Sequence, residues 1–151
     1  MHDLETAEAT LTADNLSIVF VKDGQIIFSS GKNGLKPLVD AIQIHRKLLE
    51  GSSMADKVIG RAAALLAIHA KVKSVYAFTI ASGATRLLDQ HAIPYRYGSI
   101  VERILNRDGT DTCPFEKTVH DTNNPEEALH QIIKTINRLS ATSGQGGTRP
   151  H

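Results

Sequence analysis

Residues 16–30 read LSIVFVKDGQIIFSS, and this stretch decides what kind of sheet the chain builds. Two runs rich in β-branched and aromatic residues flank Asp23-Gly24. An Asp-Gly pair in that setting marks a tight hairpin, because the two-residue turn needs positive φ and glycine supplies it without steric cost. Residues 16–22 and 25–29 are therefore expected to form antiparallel strands. Further along, KSVYAFTIA (73–81) reads as a buried strand from about Ser74 to Ile80, and PYRYGSI (94–100) as a short strand after Pro94. Between and around these runs the apolar residues recur at helical spacing.

Residues 3–13 favour a weak helix with Leu4, Ala7 and Leu11 on one side. In GKNGLKPLVDAIQIHRKLLEG (31–51) the helical positions are Leu35, Leu38, Val39, Ile42 and Leu49. Pro37 suits its first turn and Gly51 its end. ADKVIGRAAALLAIHA (55–70) reads as one helix with Asp56 at its N-cap. After Arg61 it is apolar nearly all round, which makes it the buried central helix. SGATRLLDQHAI (82–93) reads as a helix capped by Ser82, and VERILNRDG (101–109) as one or two helical turns. The last helix has the clearest opening: Asn124 as cap, Pro125 in first position and Glu127 completing a capping box. Leu129, Ile132, Ile133, Ile136 and Leu139 form its apolar stripe. A hairpin followed by strand–helix–strand gives a mixed sheet of four or five strands. Its central strand is apolar on both sides, so helices must cover both faces. The expected architecture is a three-layer α/β/α domain over residues 1–140, with a disordered tail at 141–151.

At 151 residues the chain suits one domain with one core. Its 17 basic and 16 acidic side chains nearly cancel, so no strong field draws it to a nucleic-acid polymer or an acidic membrane. The longest apolar run, AAALLAI at 62–68, is too short to span a bilayer. The first ten residues lack the basic and apolar regions of a signal peptide. A single cysteine, Cys113, makes no internal disulfide, and a cytoplasmic location is expected.

Several places are candidates for chemistry. In TCPFEK (112–117) Pro114 fits the first position of a helix, which puts Cys113 at the N-cap and Glu116 at the third position. The functional reading is a thiolate held by helix N–H groups, with His120 as its base. On one continuous helix His120 lies about 10 Å of rise from Cys113, beyond direct reach; the plainer reading is a capping, packed cysteine. The histidines are scattered without a short-spaced pair, so no metal is expected. GKNG at 31–34 is a weak match to a phosphate loop and reads more simply as a connector. The helix openings offer more, since their free N–H groups bind anions without any motif and loops at the C-terminal ends of strands bring such openings to one crevice. Ser53, Asp56, Lys57 and Arg61 belong to one expected opening, Ser82 and Gly83 to the other. The polar loop NRDGTDT (106–112), with Arg107 and Asp108, would lie over the crevice.

Taken together, ADKVIGRAAALL, VYAFTIAS and NRDGTDTCPFEKTV resemble a small family of prokaryotic domains of unknown function with the cytidine-deaminase-like fold. The resemblance runs over about 16–121 and implies a hairpin leading into α/β/α layers. True deaminases open two buried helices with H-x-E (or C-x-E) and P-C-x-x-C, which together hold zinc and supply the proton-shuttling glutamate. The corresponding places here are taken as Met54-Ala55-Asp56-Lys57 and Ala81-Ser82-Gly83-Ala84, and neither offers a ligand. The resemblance thus implies an architecture and a pocket location without the zinc reaction.

The expected function is a zinc-free domain, needing no cofactor, that binds a small anionic or nucleotide-like ligand. Asp56 and Lys57 would sit at the base of the pocket, and Ser53, Arg61, Ser82, Gly83, Arg107 and Asp108 would line it. Asp56, Glu116 or Cys113 would carry any catalysis. The alternatives are a non-catalytic regulatory or oligomerisation domain, acting as a homodimer or larger homo-oligomer, and an enzyme dependent on Cys113.

Overall fold

A computed structural model describes residues 2–106 and 108–146, with side chains through residue 140. The elements in chain order are α1 (His2–Ala13), β1 (Ile18–Lys22), β2 (Gln25–Ser30), α2 (Lys36–Leu49), β3 (Ser53–Ile59), α3 (Arg61–Ala70), β4 (Ser74–Ala81), α4 (Ser82–Gln90), β5 (Tyr95–Val101), α5 (Pro114–Thr118) and α6 (Pro125–Gly146). The five strands form one sheet in the order β2-β1-β3-β4-β5. β1 pairs antiparallel with both β2 and β3, while β3, β4 and β5 run parallel. The hairpin turn is the one the sequence announces, with φ of 52° at Asp23 and 79° at Gly24.

Alternation along β1 divides the core. Ile18 and Phe20 face the layer built by α2, α3, α4 and α6, whereas Val19 and Val21 face α1. The larger core is made by Leu38 and Ile42 of α2, Leu65 and Leu66 of α3, Leu87 and Leu88 of α4 and Ile132 of α6, all essentially without solvent contact. Among the described residues the opposite face is covered by α1, whose Leu4, Ala7 and Leu11 pack on Val19, Val21, Ala55 and Tyr76. Asp3 ties this helix down by accepting from the N–H groups of Asp23 and Gly24 at 3.0 and 2.9 Å and from Lys73 Nζ at 3.2 Å. Those bonds, led by that of Gly24, hold its carboxyl below the usual range. The α/β/α class, the mixed sheet and the leading hairpin are as the sequence reads.

The structure corrects three local readings. Residues 53–59, of which 55–59 read as the opening of a helix capped by Asp56, form the central strand β3. Its residues 53–56 pair on both sides at once, Asp56 opposite Ile18 of β1 and Ala77 of β4. The helix begins only at Arg61, with Gly60 at its N-cap. Residues 101–106, 108 and 109 do not form helical turns. Asn106 N–H donates to Asp111 O, Asn106 Oδ1 accepts from Thr110 N–H, and Leu105 bridges Thr112. A side chain that bonds its own backbone in this way stabilises a turn at the expense of a helix. Ser82 is the first residue of α4, not its cap; Ala81 holds that place and no side chain caps the helix.

The last helix opens as expected, with Glu127 N–H donating to Asn124 Oδ1 at 2.9 Å. The return bond of the capping box is relayed: Asn124 N–H donates to Thr122 Oγ1, which donates to Glu127 Oε1. α6 continues to Gly146, and the rest of the tail expected at 141–151 lies outside the described residues. No described helix is long and apolar enough to cross a membrane.

Candidate functional site

Of the residues that the sequence singles out, the first turn of α3 brings together Arg61, Gly83 and Glu116. Four groups lie toward this end of the sheet. The first is the α3 opening. Arg61 and Ala62 N–H donate at 2.8 Å each to Oε1 and Oε2 of Glu116, which lies on the distant helix α5. The free N–H groups and the positive end of the helix dipole explain why a carboxylate settles there. Gly60 makes the approach possible: a Cβ at this residue would lie 2.3 Å from Glu116 Oε1 and 2.6 Å from its Cδ. Its φ of −102° is open to any residue, so the carboxylate, and not the backbone, is what requires glycine here.

Arg61 is the second group. Its NH2 donates to the carbonyl oxygens of Val119 and Thr122 and to Asn123 Oδ1, while its Nε is buried without a partner. The stem of Arg61 runs over Gly83, where a Cβ would come within 3.0 Å of its Cγ. The two glycines therefore make room for the two charged side chains.

Asp56 is the third. It is half-buried on β3, and its one hydrogen bond is accepted from its neighbour Val58 N–H at 3.3 Å. Burial pushes its carboxyl up to about 7, against the weaker pull of the Val58 and Lys57 amides. A carboxyl with that value exchanges its proton near neutrality. The fourth is the loop before α2. Ser17 Oγ lies 3.2 Å from Gly31 O and 3.1 Å from Asn33 Oδ1, and Ser17 O accepts from Lys57 N–H at 3.1 Å. The GKNG loop thus sits at the same sheet end as Asp56.

The remaining predicted residues fall elsewhere. Ser53 is fully buried at the start of β3, with its Oγ 2.7 Å from Ser74 Oγ. It stands at the opposite end of the strand from the α3 opening. Lys57 turns to α1 and donates to Asn15 Oδ1 at 3.2 Å. Ser82 Oγ reaches Glu102 O at 3.4 Å. Asp108 is exposed, and Arg107 lies outside the described residues.

Cys113 is at the N-cap of α5 as the sequence implies, but its side chain makes no capping bond. It packs half-buried against the main core. Burial pushes its thiol up, outweighing the pull of the Glu116 and Phe115 amides. An activated nucleophile needs the reverse. His120 lies past the end of α5, with Nδ1 2.9 Å from Asp121 Oδ1. Among the described residues no three His, Cys, Asp or Glu come together as a group able to hold a metal ion. A shallow groove of about 420 Å³ runs along α6 between Asn124 and Lys134; it includes the capping residues Asn124 and Glu127 but none of the candidate site residues.

Sequence reasoning named Glu116 for the edge of a pocket and missed the end it caps. Its partners are 54 and 55 residues away, and nothing local signals the pairing. Ser17 and Asn33 were also missed; the turn-rich GKNG was the available hint.

The domain of unknown function DUF1893 matches over residues 6–136. The chain belongs to the DUF1893 family. A DUF1893 protein of Thermotoga maritima, TM1506, has a crystal structure to which this chain is similar, with a TM-score of 0.82 and 30% identity over 89% of this chain and 90% of the other. A slighter likeness, with a TM-score of 0.45 and 21% identity over 56% of this chain and 28% of the other, is to RibD of Acinetobacter baumannii. No curated protein matches the chain. Membership in DUF1893 accords with the prokaryotic family resemblance carried by the 55–66, 75–82 and 106–119 segments.

Proposed function

We propose that this DUF1893 domain binds a small anionic ligand, such as a phosphate-bearing nucleotide-like molecule, at the opening of α3, without zinc. The observation that supports this most directly is the pair of 2.8 Å hydrogen bonds from Arg61 and Ala62 N–H to a carboxylate from another element, across a glycine. Glu116 is the resident occupant, and an incoming anion takes its place. Fixed donors at a helix start need no reorganisation to receive an oxyanion. Asp56, ionising near 7, would sense or bond the part of the ligand that lies toward the GKNG loop.

Thermal shift and calorimetry test this, using phosphate, nucleoside phosphates and ADP-ribose on the native chain and on Glu116→Ala. The native chain should bind weakly, and removal of the internal carboxylate should strengthen binding at least tenfold. The same affinity in both proteins, or no binding in either, would refute the reading.

A further inference from the structure

Strand β5 is an open edge of the sheet, and its seven residues, YRYGSIV, include one charged side chain and no proline. Natural edge strands are ordinarily shielded by charge, proline, a bulge or a covering segment. Here every residue from Arg96 to Val101 is exposed.

The hydrogen-bond phase of β5 is fixed by Val75 N–H donating to Pro94 O and by the register Val75 opposite Tyr95. In a parallel ladder this points the backbone groups of residues 96, 98 and 100 toward β4. Those of Tyr95, Tyr97, Ser99 and Val101 point outward.

We propose that β5 pairs antiparallel with β5 of a second copy of this chain, centred on Ser99, joining two five-stranded sheets into one. Three observations select this occupant and this register. First, all outward-pointing backbone groups then meet outward-pointing groups: Tyr97 faces Val101 of the second copy, and Ser99 faces Ser99. Tyr97–Val101 is an aromatic–β-branched pair of the kind that stabilises sheets.

Second, the charges match. Arg96, the only charge of β5, bonds Glu8 Oε1 of its own α1 at 2.7 Å yet keeps about half of its side chain exposed. As a second carboxylate it faces Glu102 of the second copy, the exposed residue that follows the strand. Gly98 faces Ile100, leaving room for that side chain beside the Phe78 ring, whose Cδ1 lies 3.5 Å from where a Gly98 Cβ would be. Shifting the pairing by one position at its centre, onto Gly98, sets Arg96 opposite Ile100 and loses both matches.

Third, apolar side chains stand exposed at this edge. Tyr97, Ile100 and Val101 of β5 are 44, 48 and 37% exposed, and Phe78 of the neighbouring β4 is 61% exposed, a contiguous apolar surface of the kind that marks a protein–protein contact.

Sedimentation velocity over a range of concentrations tests the pairing on the full chain, alongside Ile100→Lys, Glu102→Arg and, in a Cys113→Ser background, Ser99→Cys. The native chain should be dimeric at micromolar concentration. Ile100→Lys should dissociate it at least a hundredfold more readily. Glu102→Arg, an exposed substitution that leaves the fold intact, should weaken it about tenfold, and less at high salt. Ser99→Cys should form a disulfide-linked dimer under mild oxidation, since Cα atoms about 5.5 Å apart in a hydrogen-bonded antiparallel pair lie within disulfide reach. A native chain that stays monomeric at several hundred micromolar overturns the proposal. So does a dimer that neither Glu102→Arg weakens nor Ser99→Cys captures.

Discussion

Removing the Glu116 carboxylate should unlock the first turn of α3, and the size of the effect follows from what the carboxylate touches. Glu116→Ala deletes two charge-assisted bonds of 2.8 Å to backbone N–H groups. A hydrogen bond to a charged group contributes about 1.5–3 kcal/mol, and loss of an ordinary N-cap costs about 1 kcal/mol. The site is half-buried, so water recovers part of the loss. A destabilisation of about 3 kcal/mol is expected, or roughly 10 °C in Tm for a domain of this size. Glu116→Gln keeps one acceptor oxygen and should lose about half as much.

Gly60→Ala gives the sharper reading. In the native background its Cβ would stand 2.3 Å from Glu116 Oε1. The carboxylate must withdraw, and the substitution should cost about 2 kcal/mol through the bonds it breaks. In the Glu116→Ala background the three atoms nearest that Cβ, all of the Glu116 carboxylate, are gone. At the ordinary φ of −102° alanine should then be neutral or stabilising by about 0.5 kcal/mol, by restricting the unfolded chain. Urea unfolding of the four proteins, followed by circular dichroism, gives the coupling directly. It should be about 2 kcal/mol. Additivity within about 0.5 kcal/mol would show that the glycine is not there for the carboxylate.

Two further outcomes follow from the buried acids. The folded state holds a proton on Asp56 that the unfolded chain, with a value near 3.8, gives up more readily. Folding therefore takes up a proton between about pH 4 and 7, and this group makes stability fall as pH rises through that window. Raising a carboxyl from 3.8 to about 7 corresponds to about 4 kcal/mol, reduced to about 2 by the water that reaches a half-buried group. Asp56→Asn should flatten the stability profile and be the more stable protein at pH 8. A profile unchanged by the substitution would place the proton elsewhere. The thiol of Cys113, pushed up by burial, should react with iodoacetamide at pH 7 more slowly than a free cysteine does, and rapid alkylation at pH 6 would contradict that placement.

The hairpin was legible because its signal is local: two β-branched runs and one Asp-Gly turn. The α6 opening was legible for the same reason, with cap, proline and glutamate within four residues. β3 was not. SMADKVI mixes helix-favouring Met, Ala and Lys and a cap-favouring Asp with only two β-branched residues, and only Gly60 separates it from RAAALLAIHA. What makes it a strand is its position between β1 and β4, a tertiary constraint that overrides propensity. The isolated Gly60 between Val58-Ile59 and Arg61 was the one local sign of a break. Because β3 was read as helix, Asp56 and Lys57 were placed at an N-terminus that starts four residues later. The pairing of Glu116 with that N-terminus was illegible for a different reason. It depends on two glycines and two charged side chains on three separate elements, and no window of sequence contains them all.

The clasp at Asp3 bears on how the molecule is assembled during synthesis. α1 leaves the ribosome before β3 and β4, yet its docking surface includes Ala55 and Tyr76, and the Asp3 carboxylate closes on Lys73. It must therefore wait, solvated and only marginally helical, until β4 has emerged. A segment made before its own docking surface is among the later ones to settle, and a ribosome stalled before residue 73 would present it undocked to whatever chaperone or protease is near.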